Sequence, residues 1–129
     1  DWAATVDVVR EAYRTILPGT PLVSFTDYKI TEFGKYVHNC FLATKVAFMN
    51  QMYDYAQSKG ISYDLASAMA VGQGVIGSSH MKVPGIDGQR GFGGACFPKD
   101  TSALLAHNMD TLTILKAAVE YNKKVRSDA

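Results

Sequence analysis

The sequence predicts a mainly α fold built around one long helix. Residues 27–59 contain no proline and a single glycine, and their apolar residues recur at helical spacing. Shorter segments before and after them show the same period. The one β-prone stretch, residues 21–25, is short and has no partner strand in this chain. An unpaired strand leaves its backbone groups unsatisfied, so helices must supply the core.

The helices can be placed in chain order. The first covers residues 2–16 and is stopped by Pro18 and Gly19. The long helix covers 27–59 and is closed by Gly60, and a shorter one follows at 63–71. Residues 72–97 are too rich in glycine for regular structure. Two more helices are predicted, one with Pro98 in its first turn that ends near 108, and one over 112–126 capped by Asp110 or Thr111.

Composition limits the class of protein. The chain has 129 residues, of which 47% are hydrophobic and 19% charged, as expected for one globular domain. A net charge of +1 with interleaved signs argues against nucleic acid and anionic membranes as partners. No apolar run is long enough to span a bilayer. With two distant cysteines, free thiols and a cytoplasmic location are expected, and the start at Asp1 without a Met suggests a piece of a longer chain.

The long helix is predicted to need a partner chain. At 1.5 Å per residue it would be roughly 50 Å long, whereas a domain of this size is about 35 Å across. Lys45 and Asp54 are the only charged residues between 40 and 57, so this half is apolar nearly all round. Both features favour packing against a second protein chain.

Residues 72–77 read GQGVIG and match the dinucleotide-binding pattern G-x-G-x-x-G. That pattern binds a pyrophosphate when it joins a strand to a following helix. Here a helix precedes it and a loop follows. We therefore interpret it as the end of a helix and a flexible connection.

Cys96 is the strongest candidate for chemistry. Three glycines precede it within five residues, and Pro98, Lys99 and Asp100 follow. A loop with little side-chain bulk lets a substrate approach, while a helix N-terminus and a nearby ammonium favour the thiolate. These conditions suit a nucleophile, but a small buried core residue is the other interpretation that the residues leave open.

Two segments resemble the UDP-glucose/GDP-mannose dehydrogenase family, and within it the branch that oxidises UDP-glucose. Residues 91–100 read GFGGACFPKD and are similar to its cysteine signature, and residues 32–45 read EFGKYVHNCFLATK and are similar to its central-helix motif. The resemblance implies a dehydrogenase that oxidises the C6 alcohol of UDP-glucose to UDP-glucuronate with two NAD. A GDP-mannose dehydrogenase, or an inactive self-association module, is the alternative.

The resemblance also implies roles for single residues. Cys96 would form the thiohemiacetal and thioester, Lys35 and Asn39 would stabilise the developing oxyanion, and Asp100 would order water and assist proton transfer. Lys99 is expected to contact NAD. From the residues alone, Lys35 could instead pair with Glu32, Asn39 could be an ordinary polar residue, and Asp100 could cap its helix.

The glycine-rich loop is expected to bind substrate. The resemblance places the backbone of Phe92 and Gly93 against the sugar and residues 79–90 over the nucleotide sugar. Many members of the branch carry an arginine early in this loop, where this chain has His80. Lys82 and Arg90 are the available cations, and Arg90 is favoured for its planar fork.

The resemblance implies two domain pieces. Residues 1–26 would be the C-terminal end of an NAD-binding Rossmann domain, its last helix and strand. Residues 27–129 would be the central helical dimerisation domain, with a fold like the C-terminal domain of 6-phosphogluconate dehydrogenase. We expect a homodimer through residues 27–59. Because the NAD- and nucleotide-binding domains are absent from these 129 residues, we expect the chain alone to be inactive and not to bind NAD, and no metal is expected.

Overall fold

A computed structural model describes residues 1–17, 19 and 27–127. These residues form five helices and contain no strand, which confirms the mainly α prediction. The strand predicted at 21–25 lies outside the described residues. The helices, in chain order, are α1 (Trp2–Ile16), α2 (Tyr28–Lys59), α3 (Tyr63–Gly72), α4 (Cys96–His107) and α5 (Thr113–Val125).

The chain divides into two units, Asp1–Phe33 and Gly34–Ala129. The first unit contains α1, which Asp1 begins by accepting a hydrogen bond from the backbone N–H of Ala3 at 3.1 Å. None of the α1 side chains is buried. The second unit contains most of α2 and all of α3, α4 and α5, and the candidate chemistry lies in it.

One face of α2 is the centre of the second unit. Small side chains line it at helical spacing, and Ala43 and Ala47 are almost fully buried, at 0% and 3% exposure. Their small size lets other elements approach the helix closely. Phe92 from the glycine-rich loop and Ala118 from α5 complete one core cluster there.

Two further clusters extend the core along α2. Near its middle, Cys40 packs with Leu105 of α4 and Leu115 of α5. Toward its C-terminus, Met49 and Ala56 pack with other apolar residues, namely Tyr63, Met81 and Val83. The α2 helix therefore packs against α3, α4, α5 and the glycine-rich loop through these three clusters.

Local signals explain the ends of most helices. Gly60 follows α2 with φ of +65°, a left-handed conformation that glycine adopts without strain. Ser62 caps α3 through a 3.4 Å hydrogen bond from the Leu65 N–H. The predicted cap of α5 is wrong, because its N-cap is Leu112 and no side chain caps it. Asn108 instead accepts from the Thr111 N–H at 3.1 Å.

No helix in the described part of the chain is long and apolar enough to cross a membrane.

Candidate active site

The residues predicted to do chemistry meet where α2 packs against the start of α4. The side-chain amide of Asn39 on α2 donates a 2.6 Å hydrogen bond to Asp100 Oδ2 on α4. The Lys99 ammonium donates to Asp100 Oδ1 at 2.7 Å. Both carboxylate oxygens of Asp100 are thus occupied, and residues 61 positions apart in sequence form one polar cluster.

Asp100 is the buried anion of this cluster. Its side chain is 3% exposed, whereas that of Lys99 is 64% exposed. Hydrogen bonds from Lys99 and then Asn39 hold the pKa of Asp100 below its usual value, burial opposes them, and the Lys35 charge adds a smaller lowering. The same partnership raises the pKa of Lys99. The interpretation of Asp100 as a helix cap is wrong, since α4 has no side-chain cap and its N-cap is Ala95.

Cys96 is the first residue of α4 and is exposed. The interpretation of Cys96 as a buried core residue is therefore wrong. Its thiol stands at a helix N-terminus, where the first backbone N–H groups have no partner within the helix. Lys99 follows one turn later, close enough for the Cys96 charge to raise the pKa of its ammonium slightly.

Cys40 provides a contrast within the same unit. It lies one residue after Asn39 and is buried, and burial followed by the charge of Asp100 raises the pKa of its thiol. The chain thus holds two different thiols: Cys40 is buried and has a raised pKa, whereas Cys96 is exposed to solvent.

Lys35 and Asn39 lie one turn apart on α2, so their side chains leave the same helix face. Lys35 is exposed and Asn39 is half-buried. Both lie near Asp100 of α4: Asn39 is hydrogen-bonded to its carboxylate, and the Lys35 charge lowers its pKa.

The glycine-rich loop is held by two buried asparagines that the sequence did not single out. Asn50 on α2 accepts from the Gly91 N–H at 3.1 Å, and Asn122 on α5 accepts from the Phe92 N–H at 2.7 Å. Asn122 also donates to the Phe92 carbonyl at 2.9 Å. The one signal in sequence is that each polar residue lies three or four positions after a buried alanine, Ala47 or Ala118.

The side chain of Phe92 is part of the core rather than of a surface. It is 4% exposed, packs against Ala43, Ala47 and Ala118, and meets the Phe97 ring edge-on at 6.3 Å. This exposure counts the whole residue, so the backbone of Phe92 is buried too, and both of its polar groups are bonded to Asn122. The backbone of Gly93 follows it and is half-buried.

Arg90 lies in a network of internal partners. Its guanidinium pairs with Asp54 at 2.8 Å, donates to the Asn50 carbonyl at 3.2 Å and lies 5.3 Å from the Tyr53 ring centroid. The Arg90 hydrogen bond lowers the pKa of Asp54. Burial, then the Asp54 hydrogen bond, raises the pKa of Tyr121 to about 12. Arg90 thus joins the loop to α2 and α5.

Lys82 and His80 lie on the exposed side of the same loop. His80 adopts φ of +62°, and its ring lies 5.6 Å from that of Phe97, the residue after Cys96. Lys82 has an exposed ammonium. The structure therefore presents these two side chains to solvent, with His80 near the cysteine.

The second half of α2 also borders an apolar groove. The groove has a volume of about 710 Å³ and runs between α2, α3 and the start of the loop. Its walls include the large exposed side chains Phe41, Phe48 and Tyr55, together with Ile61 and Ile76.

The described residues offer little to hold a dinucleotide or a metal ion. Gly72 is the last residue of α3, and the next helix begins only at Cys96, so this glycine pattern has no helix N-terminus for a pyrophosphate. Within residues 1–17, 19 and 27–127 no three His, Cys, Asp or Glu side chains are grouped as metal ligands. The exposed ammonium of Lys99 is the feature that suits contact with an anionic cofactor.

Comparison with known proteins places this arrangement in a family. Residues 29–124 match the model of the UDP-glucose/GDP-mannose dehydrogenase family, central domain. The chain belongs to this family. The match includes α3 and α4, nearly all of α2 and α5, and with them every candidate site residue named above.

Curated members of the family resemble most of the chain. A UDP-glucose 6-dehydrogenase of Rickettsia felis is 35% identical over 123 residues, which cover 92% of this chain and 26% of that protein. One of Rhizobium meliloti is 38% identical over 125 residues, or 92% of this chain and 27% of its own length. One of Bacillus subtilis is 40% identical over 101 residues, 75% of this chain and 22% of its own. The chain thus spans about a quarter of these relatives.

Proposed function

We propose that the chain is the central, thiol-bearing segment of an NAD-dependent dehydrogenase that oxidises the C6 alcohol of UDP-glucose to UDP-glucuronate. The observation that carries the proposal is the exposed Cys96 at the N-terminus of α4, beside the cluster of Lys99, Asp100 and Asn39. The names of the matched relatives supply the substrate.

The reaction consists of two oxidations and a hydrolysis. NAD, when bound, accepts one hydride in each oxidation. The C6 alcohol first loses a hydride and a proton to become an aldehyde. Cys96 Sγ then attacks the aldehyde carbon, and the carbonyl oxygen takes up a proton to give a thiohemiacetal. Loss of a second hydride and proton gives a thioester. Water cleaves its C–S bond to release the carboxylate and return the thiol.

The cluster around Asp100 has groups for these steps. Lys35 and the side-chain amide of Asn39 stabilise negative charge on the C6 oxygen. One N–H of that amide is already bonded to Asp100, so the second N–H makes this contact. Asp100 remains ionised at neutral pH, since its neighbours lower its pKa. As an acceptor it orders the water that cleaves the thioester and assists the transfer of its proton.

The loop supplies the contacts to the substrate. The half-buried backbone of Gly93, next to the buried Phe92, lies against the sugar, while Lys82 and His80 on the exposed side meet the nucleotide phosphates. Arg90 reaches a phosphate only by leaving Asp54, so its first contribution is to hold the loop. Lys99 contacts NAD.

The same proposal covers the assembly. Residues 1–26 are the end of a Rossmann domain and 27–129 the dimerisation domain, in a cytoplasmic enzyme. A second copy packs against α2 within residues 27–59, and the exposed aromatic side chains of that helix support this. Sedimentation over a dilution series tests it. Phe48→Glu should shift the chain to monomer, whereas Glu120→Gln on α5 should not, and a chain that is monomeric at all concentrations contradicts the dimer.

The thiol is tested first in the chain itself. Iodoacetamide at neutral pH, followed by peptide mass spectrometry, gives separate alkylation rates for Cys96 and Cys40. We expect Cys96 to react at least about tenfold faster, since it is exposed and next to Lys99 while Cys40 is buried. Equal rates would contradict a retained active site and leave the self-association module as the better function.

The activity is tested in a hybrid enzyme. This chain replaces the matching segment of the Rhizobium meliloti relative, and NADH formation with UDP-glucose is followed. We expect turnover, its loss in Cys96→Ala, and its retention in the matched control Cys40→Ala. An inactive hybrid that is folded and binds NAD would refute the proposal, and greater activity with GDP-mannose would assign the other branch.

A further inference from the structure

The loop before Cys96 is shaped by side chains from two distant helices. Asn50 from α2 and Asn122 from α5 accept the hydrogen bonds of two successive backbone N–H groups, those of Gly91 and Phe92. Both residues are 2% exposed. We call Asn50 and Asn122 the amide clamp.

Asn122 satisfies both polar groups of the Phe92 backbone. It accepts from the N–H at 2.7 Å and donates to the carbonyl at 2.9 Å, as a neighbouring β-strand would. Because these bonds are buried, losing either leaves a polar group unpaired away from water. The pairing therefore fixes the peptide planes on both sides of Phe92.

Two glycines of the loop leave the space that these contacts with α5 require. Gly91 has φ of +72°, and a Cβ there would lie 2.3 Å from Asn122 Oδ1. A Cβ at Gly93 would lie 2.3 Å from Arg126 Cζ, one helical turn beyond Asn122. Arg126 cannot easily move aside, because its side chain is 4% exposed and pairs with Asp87 at 2.8 Å. The backbone thus approaches α5 more closely than any side chain would allow.

We propose that Asn122 is a positioning residue for the substrate: its carboxamide holds the Gly91–Gly93 backbone in the conformation that receives the sugar beside Cys96. This inference rests on the proposed function for the contact between that backbone and the sugar. Asn122 acts through the loop and touches no reacting atom.

The position of Cys96 is set by other contacts. Cys96 begins α4, and α4 is held to α2 through Asp100 and Asn39 and to α5 through Leu105. Phe97, the residue after Cys96, also packs against Phe92, so loss of the Asn122 bonds should move the loop backbone and shift the thiol much less. This separates a positioning role from a general loss of structure, which would change both.

The test uses Asn122→Asp, which keeps the shape and the acceptor but cannot donate to the Phe92 carbonyl when ionised. Lys124→Ala, an exposed position on the same helix, is the matched control. In the hybrid enzyme, we expect Asn122→Asp to raise KM for UDP-glucose about tenfold or more, as expected for one disrupted buried hydrogen bond. The iodoacetamide rate of Cys96 should stay within about twofold of the unmodified protein.

Hydrogen exchange in the 129-residue chain gives a second measurement that needs no activity. Asn122→Ser, whose shorter side chain withdraws the acceptor of the Phe92 N–H, should speed exchange of the amides at 91–93 about tenfold or more, with little change over α4. If Asn122→Asp does not fold, the smaller and uncharged Asn122→Ser also replaces it in the KM measurement.

The outcomes separate the two proposals. An active hybrid in which both Asn122 variants leave KM unchanged overturns the positioning role and keeps the proposed function. A fall in Cys96 alkylation that parallels the rise in KM also overturns it, since the residue would then support the whole fold. An inactive unmodified hybrid refutes the proposed function, and unchanged exchange at 91–93 refutes the clamp independently.

Discussion

Truncation of Phe92 to alanine should cost the second unit a large share of its stability. The ring is 4% exposed and sits on the alanine faces of α2 and α5, against Ala43, Ala47 and Ala118. Substitutions of this kind cost about 3–5 kcal/mol, depending on how far the surroundings collapse into the cavity. Three of the wall residues are alanines, whose methyl groups stand on helix backbones and have little freedom to move inward. We therefore expect the upper half of the range, about 4–5 kcal/mol.

Urea denaturation followed by circular dichroism measures this loss. The midpoint should fall at an unchanged slope, because the same surface is exposed on unfolding. Ile114→Ala provides the control, since that side chain is 76% exposed and its removal should change stability by less than about 0.5 kcal/mol. A loss below about 1 kcal/mol for Phe92→Ala would refute the assignment of the ring to the core.

Three further outcomes are expected. Asp100→Asn should speed iodoacetamide alkylation of Cys96 roughly threefold, because the Lys99 ammonium loses the Asp100 carboxylate that neutralises it. An unchanged or slower alkylation rate would contradict this. Gly93→Ala should cost about 1–3 kcal/mol in urea denaturation through overpacking, whereas Gly77→Ala, with open space around it, should cost less, and equal losses would argue against the close approach. Because the pKa of Tyr121 is raised to about 12, the folded chain keeps that proton after the unfolded chain loses it near pH 10. Stability should therefore fall as pH rises from about 10 to 12, and less so in Tyr121→Phe.

Most of the helices could be predicted because their signals are local. Apolar spacing, Gly60 and Pro98 each act within a few residues, and the bounds of α1, α2 and α3 agree with the structure to within about one residue. The cap of α5 could not be predicted, because the sequence offers two adjacent polar residues, Asp110 and Thr111, and the side chain of neither caps the helix. The turn before the helix is closed by Asn108, whose partner lies three positions away.

The site was predictable only in part. The motif around Cys96 drew attention to Lys99 and Asp100, but the bond from Asn39 to Asp100 joins residues 61 positions apart and has no trace in local spacing. The amide clamp was missed for the same reason. A lone asparagine in a helix looks like any polar residue until the chain that it holds is brought to it.

The glycines before Cys96 illustrate how a motif can combine two demands. Read as a sequence, they suggest open space in which a substrate approaches the thiol. In the structure, Gly91 and Gly93 face Asn122 and Arg126, and a side chain at either position would collide with α5. Gly94, by contrast, has nothing within 4 Å of a built Cβ and has φ of +76°, so backbone conformation alone accounts for it. Because Gly91 and Gly93 have no side chains, α5 can approach the loop and fix its backbone. A fixed backbone is also what a preorganised substrate site requires.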